Sequence, residues 1–368
     1  MYRFFEICKK LHLTTSNGLY ITNEDIWKRE LSLPNRVKRL IDNELKPDAF
    51  FCIDNKPLIL FFDSPSDTQQ LHKAIWNFNE SPVVIITSST EVNIYNGFKY
   101  NRELGKLCSL GCGSTWNDFS YFELVTGTTW EKYQTDFAYT NRVDYKLLEN
   151  IEAAQKRLLI ELSCNNAPCE AKHIGNALIG KVIFIRYLID RKVKLNFEGD
   201  SREWTNNEFC DLLLDAERVK AFLNFLQDSD LGFNGDMFPI SDEEFASISS
   251  EAFQVLRSLL EGAEIASGQL SLFDLYDFSI LPIEFISNVY EKFIGLDDQA
   301  SNGAYYTPTF LVDYILRETV ETKLRQPAAH CRVLDPACGS GIFLVETYRK
   351  IVCLLYTSPS PRDRSVSR

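Results

Sequence analysis

The sequence predicts an α/β protein with a mainly helical middle, and three observations carry that prediction. Short β-branched and aromatic runs separated by turn residues fill roughly the first 110 positions; apolar residues three and four apart dominate from Tyr145 to about Ile294; and a turn, helix, strand, glycine-rich loop and second helix follow one another from Asn302 to Val345. The expected organisation is an α/β domain over 1–140, a helical domain over 141–298, the opening of a doubly wound α/β domain over 299–353, and a structureless tail over 354–368.

In the first region A-F-F-C-I (49–53), L-I-L-F-F (58–62), V-V-I-I-T (83–87) and V-N-I-Y (92–95) have strand composition, with D-N-K-P and N-G as punctuation. A helix is expected around Gln69 to Phe78, between the second and third strands. In the middle, Ala177, Leu178, Val182, Ile185, Leu188 and Ile189 share one helical face, and Ile283, Ile286, Val289, Tyr290, Phe293 and Ile294 share another. The closing run L-L-Y-T-S-P-S-P-R-D-R-S-V-S-R breaks all periodicity and has the character of a non-native appendage.

Composition narrows the class. Hydrophobic residues at 45% and charged residues at 24% are those of a globular chain. No apolar run approaches the roughly 20 residues that span a bilayer, and M-Y-R-F-F-E-I-C-K-K interrupts the apolar stretch a signal peptide needs, so a cytoplasmic protein without membrane association is expected. Ten scattered cysteines read as reduced thiols. The four histidines, of which only His330 adjoins a cysteine (Cys331), give no metal-ligand pattern. A net charge of −12 argues against a surface that holds nucleic acid throughout, so any DNA contact must be local or supplied elsewhere.

The strongest chemical signal is V-L-D-P-A-C-G-S-G-I-F-L, Val333 to Leu344. Two apolar residues end a strand, Asp335 opens a turn, Gly339 and Gly341 allow close backbone approach, and an apolar helix follows. A phosphate-binding loop would require G-K-[ST], and a dinucleotide fingerprint would require glycine at Leu344, so neither applies. The run resembles the cofactor motif, motif I, of N6-adenine DNA methyltransferases. That resemblance implies a Rossmann-like domain in which Asp335, Pro336, Ala337, Cys338, Gly339, Ser340 and Gly341 surround the amino acid part of S-adenosylmethionine.

About thirty residues upstream, G-A-Y-Y-T-P (303–308) offers a helix start, with Thr307 at the cap and Pro308 in the first turn. At this spacing it resembles motif X of the same methyltransferases, which implies that Tyr305, Tyr306, Thr307 and Pro308 also line the cofactor pocket. F-N-G-D-M-F-P (233–239), L-I-G-K-V-I-F-I-R-Y-L-I-D-R (178–191) and F-S-I-L-P-I-E-F-I-S-N-V-Y-E-K-F-I-G (278–295) are similar to the helical region before the catalytic domain of type IIG and type I-like methylases. Taken alone, each is an ordinary amphipathic or loop segment.

K-P-D-A-F-F-C-I-D-N-K-P-L-I-L-F-F-D (46–63) resembles the strands of a P-D-(D/E)-x-K nuclease, with Pro47 and Asp48 matching its first half. Such a site needs two carboxylates on a metal and a lysine beside the second. Asp63 is followed by Ser64 and Pro65, and the D-x-K of Asp54 to Lys56 falls in an expected hairpin turn, so a degenerate nuclease-like domain or an unrelated structural one is expected.

No P-P pair occurs anywhere, so the [N/D]-P-P-[Y/F/W] motif that grips a flipped adenine is absent and no catalytic residue is assigned. By resemblance the chain is the N-terminal fragment of an adenine-specific DNA methyltransferase of a restriction-modification system. The cofactor is S-adenosylmethionine; the partners are double-stranded DNA, held mainly by missing C-terminal regions, and restriction or specificity subunits. The alternatives are a non-catalytic interaction module of such a system and a restriction nuclease acting through the N-terminal domain.

Overall fold

The strand-like runs of the first region become the centre of a six-stranded sheet in the computed structural model of the chain, which describes residues 3–31, 33–88, 91–227, 238–265, 269–270, 273–281, 285, 309–324, 332–338 and 341–357. Met1–Pro282 pack as one unit and Ile283–Arg368 as another.

Strands β1 (Leu19–Ile21), β2 (Ala49–Ile53), β3 (Lys56–Asp63), β4 (Val83–Thr87), β5 (Val92–Asn101) and β6 (Lys106–Cys112) lie side by side in chain order. All neighbours are antiparallel except β3 and β4, which run parallel with Phe61 opposite Ile85. The β2–β3 connection is a two-residue turn through Asp54 (φ 50°) and Asn55 (φ 61°), the left-handed pair that a tight hairpin demands. A parallel pair cannot be joined by a hairpin, and the crossover it needs is the expected helix between the second and third runs.

The helices of this region are α1 (Arg3–Lys10), α2 (Ile26–Glu30), α3 (Asn35–Arg39) and the crossover α4 (Thr68–Phe78), followed by the short α5 (Tyr121–Thr126) and α6 (Thr128–Lys132). Asp67 caps α4 by accepting from the Gln70 amide at 3.0 Å, and Asn79 ends it at φ 59°. Phe51, Ile59, Phe61, Val83, Ile85 and Ile94 form one buried core with Phe4 and Ile7 of α1, with Leu11 just after it, and with Phe119 and Leu124. Phe50, Leu60 and Val84, which alternate with them, are equally buried, so the central strands read as continuous apolar runs because both faces are covered.

Two strands, β1 and β6, and the second half of β5 have no counterpart in the sequence reading. The Asn96-Gly97 pair taken as punctuation lies inside β5. There Gly97 donates its amide to the Pro82 carbonyl at 2.9 Å, and a Cβ on it would stand 2.0 Å from the Ser81 carbonyl oxygen, so the glycine serves a close approach rather than a turn.

The helical stretch of the same unit comprises α7 (Val143–Leu162), α8 (Pro168–Asp190), α9 (Asn206–Leu212), α10 (Ala216–Gln227), α11 (Asp242–Ala246) and α12 (Ser250–Glu261), with small hairpins at β7–β8 (Lys194–Phe197 and Asp200–Glu203) and β9–β10 (Glu264–Ile265 and Gln269–Leu270). The foreseen face Ala177, Leu178, Val182, Ile185, Leu188 and Ile189 is buried throughout, and so are Ile174, Ile179 and Ile183 around the rest of α8, which makes it the central helix. Thr205 with Glu208 and Ser241 with Glu244 form reciprocal capping boxes at α9 and α11. The second foreseen face, Ile286 to Ile294, lies outside the described residues, as does most of F-N-G-D-M-F-P.

In the second unit a helix over Thr309–Leu316 continues through a wider turn to Leu324, and a second helix runs over Ile342–Thr357. Val312, Leu316 and Val320 of the first pack on Ile342 of the second, and Lys350 pairs with Glu321 at 2.7 Å. The break expected at Leu354 falls inside this helix, which includes Leu354, Leu355 and Tyr356. The tail from 358 lies outside the described residues.

His72 on α4 gives the fold a measurable pH dependence. It is buried, its Nδ1 accepts from the Leu107 amide at 3.4 Å, and its ring meets Tyr95 edge-on. Burial, with Lys106 adding to it, lowers its pKa from 6.5 to about 4. The unfolded chain therefore takes up this proton first, and His72 weakens the fold progressively as pH falls from 6.5 to about 4, by up to about 1 kcal/mol per pH unit. Urea unfolding of wild type and His72→Gln across that range should show a shallower loss of stability for the variant; parallel curves would refute this.

Candidate functional site

The glycine-rich loop is built as a turn on a side chain. Arg332, Val333 and Leu334 lead into it without pairing to any described strand, and Val333 and Leu334 are exposed. The strand expected there is thus not formed among the described residues, because a strand exists only through its ladder and no partner lies beside these two. The turn itself is as expected: Asp335 Oδ1 accepts from the Ala337 amide at 3.2 Å, an aspartate bonding its own backbone two residues on.

The loop closes through the Gly341 amide, which donates to the Cys338 carbonyl at 2.7 Å. Gly341 has φ 76°, a left-handed conformation that favours glycine, and its carbonyl then accepts from Val345 N at 3.0 Å to start the helix. Cys338, Pro336 and Ala337 are exposed. Asp335 is half-buried, yet its Oδ2 is enclosed and has no hydrogen-bond partner among the described residues. A carboxylate oxygen removed from water without a donor is costly, and a ligand carrying an N–H or ammonium group would relieve it.

Of the residues assigned to the cofactor by sequence, the structure brings together Asp335, Pro336, Ala337, Cys338 and Gly341 in this turn. Gly339 and Ser340, and all four of Tyr305, Tyr306, Thr307 and Pro308, lie outside the described residues.

A second group of chemical interest sits at one end of the six-stranded sheet. Asp48 precedes β2 and Asp63 ends β3, and the antiparallel hairpin makes them neighbours: the Asp63 amide donates to Asp48 Oδ2 at 2.7 Å. Thr87, at the end of β4, donates its hydroxyl to Asp63 Oδ1 at 2.6 Å. Burial, then the nearby Asp63 charge, raises the Asp48 pKa against the opposing backbone hydrogen bonds. Thr87 stands 24 residues from Asp63 in sequence, and only the parallel register of β3 and β4 reveals it.

No lysine completes this pair. Lys56 starts β3 and Asp63 ends it, so the two are about 23 Å apart along an extended strand. Among the described residues, no cluster of three or more His, Cys, Asp or Glu side chains has the arrangement to hold a metal ion, every cysteine is a free thiol, and no helix is long and apolar enough to cross a membrane.

Comparison with known proteins bears on the loop alone. Residues 282–354 match the family model for N-6 DNA methylase. The match takes in G-A-Y-Y-T-P, the turn at Asp335 and most of the helix that follows, and it supports an N6 DNA methyltransferase over this stretch. No curated protein and no solved structure matches the chain.

The Asp48–Asp63 pair, without a lysine, should not hydrolyse DNA. Supercoiled plasmid incubated with the full chain and Mg²⁺ is expected to stay closed. Nicking or linearisation that Asp48→Ala abolishes would sink this reading.

Proposed function

We propose that this chain is the front portion of an S-adenosylmethionine-dependent DNA methyltransferase of a restriction-modification system, acting on the exocyclic nitrogen of adenine. The observation that carries the reading is the N-6 DNA methylase match over 282–354, which includes a loop whose aspartate has one oxygen committed to the turn and the other unpartnered among the described residues. When bound, S-adenosylmethionine supplies an activated methyl group on a sulfonium centre.

This chain's own contribution is to bind and orient. Asp335 would take the ligand's charged amino end, the exposed backbone from Pro336 to Cys338 would flank it, and Gly341 would give the chain the reversal that turns the loop into the following helix. Tyr305, Tyr306, Thr307, Pro308, Gly339 and Ser340 are proposed to complete the pocket. The grip on a flipped adenine requires an [N/D]-P-P-[Y/F/W] sequence, which this chain lacks, so methyl transfer and most of the contact with double-stranded DNA are assigned to sequence continuing beyond it. Restriction or specificity subunits are the partners such a protein would have, and a cytoplasmic location is the corresponding compartment.

The test is S-adenosylmethionine binding by a protein whose reading frame continues through the whole methylase domain. Asp335→Ala should weaken binding about tenfold or more, since a hydrogen bond to a charged group contributes roughly 1.5–3 kcal/mol, while leaving the fold intact. Calorimetric titration reads the affinity and circular dichroism the fold. Unchanged affinity in a folded Asp335→Ala variant would remove the loop from the cofactor site and the methyltransferase reading with it.

A further inference from the structure

The segment 273–281, F-D-L-Y-D-F-S-I-L, consists of a short turn over Phe273–Leu275 and a second in which the Ile280 and Leu281 amides donate to the Asp277 carbonyl, and Tyr276, Phe278, Ile280 and Leu281 are buried. It is held by side chains from both parts of the first unit. Asn77 on α4 acts on it as a neighbouring strand would: its Nδ2 donates to the Leu275 carbonyl at 2.8 Å and its Oδ1 accepts from the Asp277 amide at 2.9 Å. Lys73, one turn earlier, donates to the Asp274 carbonyl at 3.0 Å. Arg36 and Arg39 of α3 donate to the Ile280 and Ser279 carbonyls at 2.9 and 3.2 Å. Trp76 stacks on Tyr276 with ring centroids 5.7 Å apart.

The opposite side of the same segment is bound by the helical region. Asn150 of α7 donates to the Tyr276 hydroxyl at 2.7 Å, and Asp190, the last residue of α8, accepts from the Phe278 amide at 3.0 Å. Among the described residues the two regions also touch directly: Arg142 reaches Asn79, Arg102 reaches the Gly262 carbonyl, and Asn141 donates to the Thr135 and Asp136 carbonyls. The segment is also the last described stretch before position 282, where the methylase match begins.

We infer that residues 273–281 are a latch, clamped by Asn77, that fastens the α/β region to the helical region and opens as a local unit without unfolding the sheet. The segment's own backbone bonds make two short turns and no sheet ladder among the described residues, while its ties to both regions run through side chains, so it can be released as one unit when those clamps let go. The inference gives the α/β region a mechanical task whatever its acidic pair does, and it does not rest on the methyltransferase reading.

Hydrogen exchange followed by mass spectrometry on the full chain tests it. In the wild type, peptides covering 273–281 should exchange faster than those covering β3 and β4. Asn77→Ala, which removes both clamp bonds, should accelerate the latch peptides about tenfold or more and leave the β3 and β4 peptides unchanged. Arg39→Ala, at an exposed position, should do the same more weakly, and it decides the matter if Asn77→Ala fails to fold. Latch and sheet peptides that exchange at one common rate, or latch peptides unmoved by the folded variants, would overturn the inference.

Discussion

The parallel pairing of β3 with β4 is the constraint from which the first unit follows. Two strands running the same way need a crossover, and between Asp63 and Val83 the 11 residues Thr68–Phe78 form it as α4. A crossover helix has two sides to satisfy. One side of α4 seats Ile75 and Phe78 in the α/β core. The other carries the half-buried Lys73 and the buried Trp76 and Asn77, and the distant segment 273–281 lies on them. An amide buried as deeply as that of Asn77 must have its hydrogen bonds met, and its partners come from the neighbouring turn of its own helix and from the latch. The sheet topology thus fixes where the chain returns some two hundred residues later.

Local chemistry was legible in the sequence and distant pairing was not. The apolar runs at 49–53, 58–62 and 83–87 announced buried strands because both their faces are covered, and Asp54-Asn55 announced its hairpin because few residues tolerate two successive positive φ values. β1 escaped because three residues carry no periodicity, and Asn96-Gly97 misled because a glycine required by the Ser81 carbonyl looks identical, in sequence, to one required by a turn. In the loop at 335–341 the turn was legible from Asp-Pro and the glycines, whereas the strand before it was not formed, since pairing depends on partners no local pattern reveals. Asn77 gave no signal: on paper it is one polar residue in an amphipathic helix.

The distribution of charge reconciles a net charge of −12 with a DNA substrate. Between residues 141 and 281 there are 14 lysines and arginines against 24 aspartates and glutamates, while residues 1–140 carry 15 against 17 and residues 282–368 carry 10 against 10. The excess is therefore local to the helical region. By sequence the helical region is thus the least favourable of the three for a phosphate backbone, and residues 282–354, without the tail and its three arginines, carry 7 lysines and arginines against 9 aspartates and glutamates. None of the three stretches carries an excess of positive charge in its sequence, which accords with the proposal that most of the contact with DNA is made outside them.

Within the loop, the two oxygens of Asp335 divide the labour in a way that bears on how it would meet a ligand. Oδ1 fixes the backbone by accepting from Ala337, so the direction of the carboxylate is set before anything binds; Oδ2 is left enclosed and unmatched. A group oriented in advance loses little freedom on binding, and an unmatched buried acceptor gains more from a charged donor than a solvated one would. The two roles are separable in principle: asparagine at this position keeps an oxygen for the turn and removes the charge, whereas alanine removes both. Because Gly341 closes the loop through the Cys338 carbonyl and hands its own carbonyl to the first turn of the following helix, any rearrangement at Asp335 is transmitted to that helix. The shape of the loop and its affinity for a cation are consequently held by the same side chain.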